Sequence, residues 1–148
     1  MLTQVLLTLY NRDLTRLKQE ISLYKKESVI WHFERGIANS AGNLCLHLVG
    51  NLKTYIGAEL GKNPYARNRA LEFSAKNVPR AELLNGIEET IAVVNSSLHQ
   101  LTDEDLAQEY PLLVFDEKTS TEYFLVHLAT HLSYHLGQIN YHRRLLDV

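Results

Sequence analysis

The chain has 148 residues, 45% of them apolar and 22% charged, with a formal net charge of −2. That length fits one domain able to bury a proper core, and the composition is that of an ordinary globular protein. Basic residues are scattered, which argues against a nucleic-acid footprint, and no apolar run reaches the roughly 18 residues a membrane span needs.

The first residues, Met1-Leu-Thr-Gln-Val-Leu-Leu, carry neither a basic flank nor a small-residue cleavage site. They read as helix, not as a signal peptide. Val5, Leu6, Leu9, Leu14, Leu17, Ile21 and Tyr24 recur near helical period, which predicts a first helix over residues 2 to about 25. Lys25 and Lys26 close it where cations suit the dipole. A connection through Trp31 and Gly36 leads to a second helix, residues 37 to about 60, with Ile37, Ala41, Leu44, Leu48, Leu52 and Tyr55 as its apolar stripe. Gly61 and Asn63-Pro64 stop it. Residues 62–77 are polar and basic and read as a long loop with a short helical turn near 71–73.

Pro79 suits the first turn of a third helix that runs to about residue 100. Thr102-Asp-Glu-Asp105 reads as the capped start of a short extra turn, and 111–116 as a short extended piece. Thr119, with Glu122 three residues on, has the capping-box pattern for a fourth long helix. Four long helices without a strand pattern argue for an all-α antiparallel four-helix bundle, whose core is a known place for metal sites. Cys45 is the only cysteine; it rules out an internal disulfide, fits a reducing cytoplasm and most simply packs in the core. Trp31 reads as core more readily than as a pocket wall. Glu82, Glu88 and Glu89 read as a solvated face, and Arg143-Arg144 as complements to the last helix's dipole.

Four of the seven histidines, His127, His131, His135 and His142, fall on that fourth helix. Spacings of four put His127, His131 and His135 about 6 Å apart along one face. Against the apolar arc of Leu125, Leu128, Leu132, Ile139 and Leu146, His135 lies about 30° from the centre, His131 about 70° and His127 about 110°. His131 and His135 are therefore the inward pair. His142 lies about 10 Å beyond His135 along the axis, too far to share an ion with it. On the second helix His47 sits beside the stripe and is placed to supply a third imidazole, whereas Cys45 points nearly the opposite way. Three neutral imidazoles suit divalent zinc, nickel, copper or iron and leave coordination positions open. The plain alternative is histidines hydrogen-bonded within a helical core. Gly137, costly inside a helix, implies a close helix approach, and Gln138 offers an amide to orient a ligand histidine.

Two blocks carry a resemblance. Asn39-Ser-Ala-Gly-Asn-Leu-Cys-Leu-His47 and His131-Leu-Ser-Tyr-His135-Leu-Gly-Gln, some 80 residues apart, resemble the ligand-bearing second and last helices of the DinB-like superfamily of four-helix metal-dependent proteins. The resemblance implies an up-down-down-up bundle over the whole chain, 1–148, with residues 62–77 as the long crossover. It implies His47, His131 and His135 as ligands of a divalent zinc, nickel or iron ion, with no role given to His127. It further implies a homodimer and, in some relatives, transfer or isomerisation chemistry on low-molecular-weight thiols. Three functions follow as expectations: a metal-dependent enzyme, of thiol S-transferase type or alternatively a hydrolase (for which a nearby carboxylate would be expected and none is placed by the sequence), a non-catalytic metal-binding or stress-related bundle, and a helical interaction protein without metal. No residue of the sequence is assignable as a general base.

Overall fold

Apolar residues returning every three or four positions set the helices. The computed structural model describes residues 1–34 and 36–148. In it α1 spans Leu2–Leu23, α2 Ala41–Leu52, α3 Arg69–Ser74, α4 Arg80–His99, α5 Asp103–Ala107 and α6 Thr121–Leu146. A 3₁₀ turn, Glu27–Trp31, precedes α2, and a π-helical stretch, Lys53–Ala58, prolongs it. Among the described residues there is no strand, only an isolated antiparallel bridge between Glu109 and Ser120. No helix is long and apolar enough to cross a membrane among the described residues.

Helix α1 packs on α4 and α6, and α2 packs on the same two helices as well as on α3. Their apolar faces meet in one buried cluster. Leu14, Leu17 and Ile21 come from α1, Leu44, Leu48 and Leu52 from α2, Ile87 and Val94 from α4, and Leu125, Leu128, Leu132 and Ile139 from α6. Cys45 is wholly buried there, and burial pushes its thiol up to about 12. It is a core residue without nucleophilic character. Trp31 is buried too, its ring against α2 where Gly42 leaves room for it.

Several element ends differ from the sequence reading, each for a local reason. The second helix starts at Ala41 and not near 37. Gly36 takes a left-handed φ of 89°, and the Ser40 hydroxyl accepts the Asn43 N–H at 3.1 Å, fixing the N-cap. The fourth long helix is capped by Ser120 and not by Thr119: Ser120 Oγ accepts the Tyr123 N–H at 3.1 Å. The Thr119 carbonyl accepts from Tyr110 N–H (2.8 Å), and Thr121 N–H donates to Gln108 (2.8 Å). These two bonds hold residue 119 outside the helix, so Glu122 misses the capping-box position. Residues 111–116 form bends instead of an extended piece. The capped start read at 102–105 is present, and takes the form of a Thr102–Asp105 capping box. Arg143 does more than complement a dipole, since its Nε donates to Glu20 Oε2 of α1 at 2.7 Å.

Gly137 does not serve a close helix approach. A Cβ built there meets nothing within 4 Å. With open space and a helical backbone, Gly137→Ala should raise stability by about 0.5–1 kcal/mol through helix propensity. Urea unfolding checks this; a loss of stability would reveal a neighbour that the fold as described does not place there.

Candidate metal centre

His47 lies near the middle of α2, and His131 and His135 lie one turn apart on α6. Because α2 packs on α6, the three imidazoles meet: one nitrogen of each lies within 4.8 Å of the other two. The Nε2 atoms of His47 and His131 are 3.2 Å apart. Two nitrogens bound at about 2.0–2.1 Å to one tetrahedral ion stand about 3.3 Å apart, so this pair already has the spacing of joint ligands. The rings of His131 and His135 are perpendicular, with centroids 4.6 Å apart.

The far nitrogens explain how the rings are aimed. His47 Nδ1 is 3.1 Å from Glu72 Oε1, and His135 Nδ1 is 2.6 Å from Gln138 Oε1. A carboxylate or amide oxygen accepts, so the proton sits on Nδ1 where these contacts are made. Arg67 Nη2 is also near His47 Nδ1, at 3.4 Å, but the carboxylate is the shorter contact, and His47 turns its Nε2 toward His131. Gln138 thus orients a ligand-type histidine, as its position after Gly137 suggested. His131 Nδ1 is buried with no partner among the described residues, so that ring's polar contact is the one its Nε2 makes with His47 Nε2.

Glu72 is the residue that sequence reasoning missed. It sits in α3, within the stretch read as a polar loop, yet is buried. Arg67 grips its carboxylate through Nε to Oε2 and Nη2 to Oε1, both 2.9 Å. The available signal was an acid inside the short turn near 71–73, with an arginine five residues before it. Glu72 stands behind the His47 ring and is outside the three-nitrogen group.

Burial in the bundle lowers the His131 pKa to about 4, helped by the charges of His135, His47 and His127 and by Arg67. Burial also lowers that of His47, against the opposing pull of Glu72. Both rings are neutral near pH 7, the form that coordinates metals. The donor set fits a borderline divalent cation.

The other histidines stand apart. His127 stacks 6.4 Å from His131 and turns its edge to Phe115 at 4.7 Å; it lies outside the group. His142 is buried with both nitrogens engaged, by the Tyr24 hydroxyl at 2.7 Å and by the His32 carbonyl at 2.6 Å. A cavity of about 530 Å³ opens beside His135, walled by Ile37, Leu44, Tyr134, Gln138, Tyr141 and Leu145. It is mostly apolar and gives a small molecule access to that imidazole.

A family model described as "Protein of unknown function (DUF1572)" matches residues 7–147. No curated protein matches the chain.

The lowered His131 pKa has a thermodynamic consequence. The folded value lies below the unfolded one of 6.5, so the unfolded chain binds the proton first. The stability from neutral His131 is complete above about 6.5 and is lost as pH falls towards about 4. Urea titrations of chelator-treated protein across that window should show stability falling with acid, and His131→Gln should flatten the fall. An equal slope in the variant would contradict the assignment.

Proposed function

The chain is a member of the DUF1572 family, and we propose that its His47, His131 and His135 form a divalent-metal centre of DinB-like type, serving a thiol S-transferase. One observation carries the reading: three imidazole nitrogens from two helices lie within 4.8 Å of one another, two of them at joint-ligand spacing. Helices α1, α2, α4 and α6 then make the up-down-down-up bundle of a single domain, with 62–77 as the crossover. Contacts of both α1 and α2 with α4 and α6 support that arrangement. Zinc, nickel or iron suits the donor set.

A bound divalent cation supplies the charge that keeps a thiol ionised near neutral pH. The protein's own part is positional. His47 and His135 are aimed by Glu72 and Gln138, and the mostly apolar cavity beside His135 receives the substrate. Glu72 is committed to Arg67 and His47, so it is poorly placed to deprotonate a water. That favours activation of a nucleophile by charge over hydrolysis by a carboxylate base.

Protein purified without a histidine tag should bind about one zinc per chain. Alanine at 47, 131 or 135 should weaken zinc by more than about 100-fold, beyond the loss ascribed to outer partners, while His127→Ala keeps it. Undiminished zinc affinity in His135→Ala would sink the ligand set. A conjugation assay with a low-molecular-weight thiol and an electrophile, with and without metal, tests the activity. A rate no higher than the uncatalysed one would leave a non-catalytic metal-binding bundle, and a catalysed rate unaffected by metal would contradict the role given to the cation.

A further inference from the structure

Helix α3 is largely exposed. Arg69, Ala70, Leu71 and Ser74 face solvent, and Glu72 alone among its residues is buried. A carboxylate leaves water at a cost of several kcal/mol unless fully paired, so its inward position needs a reason. Four features of the structure converge on it. Arg67 binds it with a two-pronged fork. Gly50, one turn after His47 on α2, makes the space, since a Cβ at 50 would overlap the Glu72 carboxylate. Asn43 Nδ2 donates to the Glu72 carbonyl at 2.9 Å and to the Ala75 carbonyl at 2.8 Å, clamping the backbone of α3 against α2. Phe73 lays its ring 4.8 Å from that of His47.

All four serve one contact, Oε1 of Glu72 on Nδ1 of His47. We infer that Glu72 is a positioning residue for the cation centre, and that the crossover carrying it is thermodynamically linked to cation binding. The inference rests on the metal-centre reading above and names how that site is regulated. With Glu72 docked, the His47 proton is held on Nδ1 and the Nε2 lone pair faces His131. With α3 lifted away, the ring is free to rotate and to exchange tautomers, and one of three ligands is no longer preorganised. Linkage is reciprocal: if docking favours the cation, the cation favours docking by the same factor. The bland alternative is that Arg67 and Glu72 only staple α3 to α2, and that His47 coordinates equally well without them.

Three measurements on the full chain separate these. First, imidazole ¹⁵N shifts of metal-free protein at pH 8 should report His47 as the Nδ1–H tautomer; a predominantly Nε2–H ring overturns the inference and requires no variant. Second, zinc affinity by chelator competition should fall about 10–100-fold in Glu72→Gln, and also in Gly50→Ala, which displaces the carboxylate without changing charge. Affinity equal to the parent in folded variants overturns it. Third, zinc should slow amide exchange of residues 70–75 in the parent by a factor of the same order and should not do so in His47→Ala. Unchanged exchange in zinc-loaded parent also overturns it. Should Glu72→Gln fail to fold, the tautomer and exchange measurements on the parent still decide. Should the parent bind no zinc, the metal-centre reading fails, and the tautomer measurement alone judges the role of Glu72.

Discussion

Three imidazoles share one small volume between α2 and α6, and burial makes protonating two of them, His47 and His131, costly. Like charges a few ångströms apart in a poorly solvated site repel strongly, which disfavours charging His47 and His131 together. The arrangement of the surroundings follows from that constraint. Burial keeps His131 and His47 unprotonated near neutrality. Glu72 and Gln138 accept hydrogen bonds from Nδ1 of His47 and His135, and His47 turns its Nε2 toward that of His131.

The site is built on two kinds of element. His131 and His135 are one turn apart on a helix of 26 residues, and His47 lies on α2, whose inner face is buried in the same apolar cluster. Such elements hold side chains more tightly than loops do. The outer support for His47 comes instead from α3, a six-residue helix in the crossover. It is anchored by a buried ion pair and two Asn43 hydrogen bonds, with little apolar burial of its own. Segments with that balance sit at the low-stability end of a fold. The cluster therefore combines two imidazoles on one long helix with a third whose outer hydrogen-bond partner sits on a short one.

Much of this was legible in the sequence because it is periodic. The apolar arc of α6 and the four-residue spacing of His131 and His135 project directly onto one helix face, and the stripe of α2 places His47 on the side that meets it. The Thr102–Asp105 box was legible because both partners lie within one turn. What escaped notice depends on non-local geometry. Glu72 sits in a segment polar enough to pass for loop, and its burial is caused by the space at Gly50 and by Arg67, neither of which has a periodic signature. Thr119 and Ser120 are equally good caps in isolation; backbone bonds from Tyr110 and Thr121 choose between them. Gly137 looked like a packing glycine because helical glycine is costly, yet its surroundings are open. Arg143 finds Glu20 across 123 residues of chain, a pairing that no local pattern encodes.

The most direct test of the central claim is anomalous diffraction from zinc-soaked crystals, collected above and below the metal's absorption edge. The account predicts one strong peak about 2.0–2.1 Å from a nitrogen of each of His47, His131 and His135. A peak bound instead at His127 or at the surface imidazoles of His32 and His99, with none between α2 and α6, would contradict it.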